Sequence, residues 1–168
     1  MMKKAIFLDR DGTINNNCDH YYIWHKEELL LNPGVIETLS ELRLRGYLLI
    51  VITNQGGISK GEFTAEDVDA LHMHLRSMLE QEGVILDEIY YCPHHSMVET
   101  CLCRKPQPLM IEKALARFGI DPASSWMIGD TERDVEAGNA AGLRTILIEP
   151  NSDLRKILEL IDCQTPRV

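Results

Sequence analysis

Residues 7–13, FLDRDGT, place two aspartates one residue apart at the end of a short apolar run. Asp9 and Asp11 lie on either side of Arg10, and each carboxylate opposes ionisation of the other. A bound cation, or a proton retained by one carboxyl group, relieves that repulsion. The stretch predicts a buried strand that ends at Asp9 and a turn that carries Asp11.

Four more short apolar runs follow, and helix-length amphipathic segments separate them. The predicted strands are residues 3–8, 47–53, 86–92, 125–130 and 143–149. Their nearly continuous apolar character is typical of a parallel sheet covered by helices on both faces. The predicted helices run from Pro33 to Arg45, from after Thr64 to Glu82, from Pro108 to Phe118 and from Glu132 to Ala141, each directly before a glycine. We therefore predict an α/β fold with a doubly wound parallel sheet, formed by residues 1–168 as a single domain.

Composition narrows the class of protein. The chain has 168 residues, 45% of them hydrophobic and 26% charged, as in a globular domain with a sizeable core. No apolar run approaches the ~20 residues of a membrane span, and the first run stops at Leu8, short of a signal peptide. The net charge of −9 argues against nucleic acid as a partner. We expect a cytoplasmic, monomeric protein.

Polar residues collect where the predicted strands end. Thr53 and Asn54 end the second strand and Asp130 ends the fourth, while Lys105 lies in the loop before the third helix. Carboxylates that converge at one sheet edge suit Mg²⁺, which prefers hard oxygen ligands. Such a metal would keep Asp9 ionised as a nucleophile that forms an aspartyl-phosphate. Asp11 would then act as general acid and base.

Each of these features also has a simpler interpretation. A lone D-x-D is often a turn, Thr53-Asn54 is often a strand end with an Asx turn, and residues 103–106, CRKP, read alone as a basic surface patch. Their occurrence together, each at or just beyond the end of a predicted parallel strand, favours a catalytic site.

A second metal site is predicted from cysteine spacing. Cys92 and His94 form one pair with a single residue between them, and Cys101 and Cys103 form another. Three thiolates and one imidazole suit a closed, structural, tetrahedral Zn²⁺ site. His95 is a rival ligand, and a disulfide or free thiols are the simpler interpretation. Zinc here would fix the loop that carries Arg104 and Lys105.

Four stretches together resemble the motifs of the haloacid dehalogenase-like phosphatases: FLDRDGT, VITNQ, CRKP and MIGDTERD. The resemblance implies that Asp9 is the nucleophile and Asp11 the acid/base. It also implies that Mg²⁺ is held by Asp9, the backbone carbonyl of Asp11, and Asp130. The phosphate would be bound by Thr53, Asn54 and Lys105, with Gln55 as a further candidate and Thr131 and Asp134 as weaker ones.

Five stretches resemble one branch of that family: IFLDRDGTIN, DHYY, NQGGISKGEFT, IYYCPHH and CLCRKP. This branch contains the D-glycero-D-manno-heptose 1,7-bisphosphate phosphatases and their relatives, the histidinol-phosphate phosphatases. Both groups carry a zinc loop in place of a large cap domain. The short segment HSMVET, residues 95–100, favours histidinol phosphate, an amino-alcohol ester. The segment GGISKGEFT, residues 56–64, favours the sugar bisphosphate, which would serve nucleotide-heptose synthesis for lipopolysaccharide or another surface glycan.

Substrate contacts beyond the reacting phosphate are expected from three places. Lys60 is a candidate for a distal phosphate, Arg104 for a substrate contact, and Asp19, His20 and Tyr22 for sugar hydroxyls. A solvated lysine and an ordinary polar loop are the simpler interpretations. A non-catalytic, zinc-stabilised binding protein is the competing class of function, but it should lack part of the set Asp9, Asp11, Lys105 and Asp130.

Overall fold

Five parallel strands form the sheet of this protein, for which a computed structural model describes residues 2–164. The strands are β1 (Lys4–Leu8), β2 (Tyr47–Asn54), β3 (Glu88–Cys92), β4 (Trp126–Gly129) and β5 (Arg144–Leu147). Their order across the sheet is β3-β2-β1-β4-β5, and every pairing is parallel. The predicted doubly wound parallel α/β sheet is confirmed.

Helices cover both faces of the sheet. They are α1 (Val35–Leu44), α2 (Ala65–Gln81), α3 (Leu109–Phe118), α4 (Glu132–Ala140) and α5 (Lys156–Gln164). The first four match the predicted segments to within two residues at each end. The fifth was not predicted, because no glycine follows it to mark its end as in the other four. It forms because Ile157 and Ile161 are buried in the core.

Alternate residues of β1 belong to two separate hydrophobic clusters. Ile6 and Leu8 pack with residues of α1, α2 and α5, whereas Ala5 and Phe7 pack with residues of α3 and α4. All four side chains are fully buried. This two-sided burial explains why the strand reads as one continuous apolar run.

The centre of the sheet determines where the functional residues meet. β1 pairs with β2 on one side and with β4 on the other, so that Leu8 lies opposite both Val51 and Ile128. The chain winds outward from β1 to β3, then crosses to β4 and β5. Ligand sites in such sheets lie at the carboxyl edge where the winding reverses, and Asp9 follows β1 at this point.

No helix among residues 2–164 is both long and apolar enough to cross a membrane.

Candidate active site

A cavity of about 220 Å³ opens at the carboxyl edge of β1, β2 and β4. The structure brings most of the predicted site residues together in its lining: Asp9, Asp11, Tyr22, Thr53, Asn54, Arg104, Lys105, Asp130 and Thr131. The remaining lining residues were not predicted from the sequence: Asn17, Tyr21, Gly56 and Arg133.

Asp9 lines this cavity, and only one of its carboxylate oxygens is engaged among the described residues. Its Oδ1 accepts hydrogen bonds from Lys105 Nζ at 2.8 Å and from the backbone N–H of Arg10 at 2.8 Å. Burial raises the pKa of Asp9 to about 7, although the charge of Lys105 opposes that rise. Because both of these contacts are made to Oδ1, the other oxygen, Oδ2, remains available for a cation or for a reacting atom.

Lys105 is buried, and acceptors surround its ammonium group. Nζ donates to Asp9 at 2.8 Å, to Asp134 at 2.6 Å and to the carbonyl of Ile52 at 2.7 Å. Burial lowers the pKa of Lys105, but the charges of the two carboxylates outweigh burial and raise it above its usual range. The residue therefore remains a cation beside Asp9.

Asp134 has both oxygens occupied. Oδ1 accepts from Lys105, and Oδ2 accepts from the backbone N–H of Thr131 at 3.1 Å and from its hydroxyl at 2.8 Å. The contact with the backbone N–H of Thr131 belongs to the capping box that starts α4. Gly129 allows this carboxylate to approach, because a Cβ there would lie 2.2 Å from Asp134 Oδ2. Asp134 is thus a fixed partner of Lys105.

Asn54 holds the backbone of the neighbouring loop. Its Nδ2 donates to the carbonyl of Lys105 at 3.1 Å, and its Oδ1 accepts from the N–H of Lys105 at 3.0 Å. The side-chain amide is therefore engaged with protein. Asn54 lines the cavity, and its side chain defines the position of residue 105.

Asp11 is held by three neighbours. Its two oxygens accept from Arg10 Nε at 3.1 Å and Nη2 at 2.9 Å, from Asn15 Nδ2 at 2.9 Å, and from Gln55 Nε2 at 3.0 Å. Gln55 also donates to Thr53 Oγ1 at 2.9 Å and is fully buried. The structure thus places Gln55 below the cavity lining, where it orients Asp11 and Thr53.

The donors for a hard metal ion are present. Carboxylate oxygens of Asp9, Asp130 and Asp134 lie within 4.8 Å of one another, and Asp134 is committed to Lys105 and Thr131. Asp130 Oδ1 is buried and has no hydrogen-bond partner within the described range 2–164. Burial, together with the charge of Asp134, raises the pKa of Asp130. An unpartnered buried carboxylate oxygen beside Asp9 fits a Mg²⁺ ligand.

Gly12 leaves room for Asp130. Its φ is +82°, a conformation that side chains other than that of glycine adopt rarely, and a Cβ there would lie 2.3 Å from Asp130 Oδ2. The glycine of the FLDRDGT motif is therefore required both by the turn after Asp11 and by the carboxylate packed against it.

Beside the cavity, the structure also brings the predicted zinc ligands together. Donor atoms of Cys92, His94, Cys101 and Cys103 lie within 4.8 Å of one another. Cys92 Sγ is 3.7 Å from Cys101 Sγ and 3.5 Å from His94 Nδ1, near the roughly 3.5–3.8 Å separations of a tetrahedral zinc site. All the cysteines of the chain are free thiols.

The surroundings of these cysteines shift their pKa values in different directions. Burial opposes ionisation of Cys101, but backbone N–H groups of Arg104 and Cys103 lower its pKa to about 7. Burial raises the pKa of Cys92, the most enclosed of the set. His95, the rival ligand, instead accepts from the backbone N–H of Met97 at 3.2 Å.

Three predicted contact residues lie outside the cavity. Asp19 and His20 line a second cavity with Asn16 and Glu28, and His20 Nε2 lies 3.7 Å from Glu28. The sequence motif suggested one cluster because these residues precede Tyr22, but the loop turns between them. Lys60 pairs with Glu62 at 3.4 Å and lies 5.4 Å from the Tyr22 ring centre.

The residues that sequence reasoning missed carry weak signals. Arg133 lies in the first turn of α4, three residues after Asp130, within the motif MIGDTERD. Its position in the first turn of the helix that follows Asp130 could have indicated that Arg133 lies near the cavity. Asn17 and Tyr21 lie in an irregular loop, where no periodicity indicates side-chain direction.

Comparisons with known proteins agree with this geometry. Residues 102–166 match the family model described as HAD-hydrolase-like. The D-glycero-beta-D-manno-heptose-1,7-bisphosphate 7-phosphatase of Pasteurella multocida is 43% identical over 154 residues, which cover 88% of this chain and 83% of that protein. The protein of the same name from Escherichia coli is 42% identical over 147 residues, covering 84% and 76%.

Solved structures give the same result. The D,D-heptose 1,7-bisphosphate phosphatase of B. bronchiseptica, complexed with magnesium and phosphate, superposes with a TM-score of 0.81 at 32% identity, covering 94% of this chain and 86% of that one. A HAD-like phosphatase from Mesorhizobium loti superposes with a TM-score of 0.84 at 29% identity, covering 99% and 89%. The resemblance found in the motifs is confirmed, and the chain belongs to the haloacid dehalogenase-like phosphatases, in the family that contains these heptose bisphosphate phosphatases.

Proposed function

We propose that this chain is a Mg²⁺-dependent phosphatase that removes the C7 phosphate of D-glycero-D-manno-heptose 1,7-bisphosphate. The observation that carries the proposal is the pair of cavity carboxylates in different surroundings. Asp9 is bound by the Lys105 ammonium, whereas both oxygens of Asp11 are held by a separate network of side chains. The two groups are therefore suited to different roles.

Asp9 is proposed as the nucleophile. Its free oxygen attacks phosphorus, the bond between phosphorus and the sugar oxygen breaks, and Asp11 gives its proton to the leaving alkoxide. Asp11 then takes a proton from water as the water attacks the aspartyl-phosphate, which releases phosphate and regenerates the Asp9 carboxylate. Lys105 stabilises the negative charge of the transferring group.

Mg²⁺ would be held by Asp9, Asp130 and the backbone carbonyl of Asp11. Bound there, it supplies positive charge against the phosphoryl oxygens. Thr53 would contribute a hydroxyl group. Its Oγ1 already accepts from Gln55, so the hydroxyl hydrogen is free to donate toward the cavity. Thr131 lines the same cavity, but its hydroxyl donates to Asp134.

Two arginines favour a substrate with a second phosphate. Arg104 and Arg133 line the cavity, and the backbone carbonyl of His94 accepts from Arg104 Nη1 at 2.9 Å. The cavity lining thus contains two arginines besides Lys105, although the whole chain carries −9. Histidinol phosphate would place an amine and an imidazole near these cations, which disfavours it.

Zn²⁺ is proposed as a structural ion at Cys92, His94, Cys101 and Cys103. A four-ligand site leaves no open position for catalysis. Its bound loop presents Arg104 to the cavity and Lys105 to Asp9, so the metal supports the site by fixing the loop. We further propose that residues 1–168 act as one domain, as a monomer, in the cytoplasm.

The test is phosphate release in the presence of Mg²⁺ from the β and α anomers of the heptose bisphosphate and from L-histidinol phosphate. We expect kcat/KM to be highest for one heptose anomer. Asp9→Asn should abolish turnover while the circular dichroism spectrum stays that of the parent protein. A preference for histidinol phosphate would overturn the substrate, and an active Asp9→Asn protein would overturn the nucleophile.

A further inference from the structure

Arg10 is a fully buried cation that does not line the cavity. Its Nε and Nη2 donate to the two oxygens of Asp11 at 3.1 and 2.9 Å. Nη2 also donates to the carbonyl of Ile23 at 2.6 Å, and Nη1 lies 2.9 Å from His72 Nε2. A guanidinium that binds a carboxylate at two points fixes both its distance and its plane.

His72 completes this arrangement from helix α2. A guanidinium N–H can only donate, so Nε2 of His72 must be the unprotonated nitrogen that accepts. Burial, reinforced by the charges of Arg10 and Arg76, lowers the pKa of His72 to about 3 and keeps the ring neutral. The ring edge packs against Tyr91, with ring centres 5.5 Å apart.

Burial of Arg10 and His72 carries a desolvation cost that packing alone does not explain. A cation and an imidazole removed from water need matched partners, and apolar side chains of similar volume often fill such a space at no loss of stability. Of the three partners of Arg10, Asp11 is the one that lines the cavity. Among residues 2–164, His72 is thus linked to the cavity through Arg10.

We infer that His72 and Arg10 are positioning residues for the general acid Asp11. His72 holds Nη1 of Arg10, and the guanidinium in turn holds the Asp11 carboxyl group in the orientation needed to protonate the leaving oxygen. The inference rests on the proposed function, because it assigns a support to the acid of that reaction.

A positioning defect and a folding defect differ in their dependence on the leaving group. A sugar alkoxide needs a proton as it leaves, whereas 4-nitrophenolate is a weak base that leaves without one. Loss of the Asp11 orientation should therefore slow cleavage of the sugar ester far more than the first-turnover release of 4-nitrophenolate. A general loss of folded enzyme should slow both equally.

The experiment compares His72→Leu with His72→Gln, whose amide oxygen can replace Nε2 as acceptor. We expect His72→Leu to lower kcat for heptose bisphosphate roughly 10- to 100-fold, less than the full 10²–10⁴-fold that acid–base catalysis supplies, because Asp11 itself is still present. KM should stay unchanged, since neither residue lines the cavity, and the first-turnover release of 4-nitrophenolate should change less than threefold. His72→Gln should recover most of the loss, and His74→Leu on the same helix should behave as the parent.

A second variant covers poor folding of His72→Leu. His72→Asn is polar but too short to reach Arg10, and it should show the same selective loss. Equal losses on both substrates, or no recovery with Gln, would overturn the positioning role. Asp11→Asn serves as the reference variant. If Asp11→Asn lacks the selective loss, the assignment of Asp11 as the acid is wrong. If Asp11→Asn shows the selective loss and the His72 variants do not, the positioning role alone is wrong.

Discussion

Lys105 Nζ lies 2.8 Å from Asp9 Oδ1, with side chains only 3% and 13% exposed. The pair is held before any substrate arrives, because Asp134 and the Ile52 carbonyl occupy the other hydrogens of the ammonium. Preorganised charge in a partly dry site is worth more than the same charge in water, since no reorganisation is needed during the reaction.

Replacement of Lys105 by methionine should therefore lower activity, and it also leaves the buried Asp134 carboxylate without its ion-pair partner. We expect kcat to fall roughly 10²- to 10³-fold, the range for loss of one preorganised donor. Steady-state phosphate release measures it, and Lys113→Met on an exposed helix position is the matched control. A loss below tenfold would show that the ammonium does not act on the reacting group.

Gly12→Ala should damage the magnesium site in particular. The new Cβ would lie 2.3 Å from Asp130 Oδ2, so the carboxylate must move. Gly46 is a matched control, because its φ is +80° and a Cβ there has no heavy atom within 4 Å. Both variants carry a backbone penalty of about 1–2 kcal/mol. Only Gly12→Ala should raise the Mg²⁺ concentration needed for half-maximal activity, and an equal rise in both would contradict the assignment of Asp130.

The raised pKa of Asp9 predicts a pH dependence of stability in Mg²⁺-free buffer. The folded state retains a proton up to about pH 7 that the unfolded chain releases near its ordinary pKa of 3.8. The contribution of Asp9 to the free energy of unfolding is therefore fully present below pH 3.8 and is lost as the pH rises toward 7. Urea unfolding of the parent and of Asp9→Asn should show this decline in the difference between the two proteins.

The difference between the two proteins is measured because the contribution of His72 to the free energy of unfolding depends on pH in the opposite direction. Its pKa falls from 6.5 to about 3 on folding, so its contribution is present above pH 6.5 and is lost as the pH drops. Both proteins keep His72, and its effect cancels. Added Mg²⁺ should stabilise the parent more at pH 8 than at pH 6, because binding displaces the proton. A pH-independent difference would contradict burial of the Asp9 charge.

The cysteine cluster predicts one zinc ion per chain with a structural effect. Cys101→Ser should lower the zinc content and the midpoint of thermal unfolding, because metal binding contributes folding energy. Elemental analysis and calorimetry measure the two, with Cys163→Ser as an exposed control. Full zinc content in the Cys101→Ser protein would exclude Cys101 as a ligand.

If Arg133 binds the second phosphate of the substrate, its loss should affect the bisphosphate more than the monophosphate. Arg133→Leu should lower kcat/KM for the heptose 1,7-bisphosphate about tenfold or more, since a hydrogen bond to a charged group contributes about 1.5–3 kcal/mol. The heptose 7-phosphate, which lacks the C1 phosphate, should be affected much less. If both substrates lost equally, the arginine would act on the reacting phosphate instead.

The strand-end logic explains why most of the cavity could be predicted from sequence. Parallel strands present their carboxyl ends at one edge, so Asp9, Thr53 and Asp130 had to meet once β1, β2 and β4 were neighbours. The cluster of zinc-ligand candidates could also be predicted from sequence, because one-residue spacing restricts where paired ligands can point.

Side-chain direction in loops could not be predicted in the same way. Asp19 and His20 face a second cavity because the irregular chain after Asn16 has no repeat that relates neighbours to a surface. Gln55 turns inward one residue beyond the strand, and Arg10 is buried within a motif that reads as polar. The partner of Arg10 on α2 is 62 residues away, so only tertiary packing reveals it.

The two-point hold of Asn54 on residue 105 has a practical consequence. Asn54 contacts only main-chain atoms there, so the location of that residue does not depend on which side chain it carries. Residue 105 is thus a natural place to install a synthetic amino acid with a tuned amine basicity or a spectroscopic label. The probe would report the electric field at the reacting phosphate from a position defined by the protein itself.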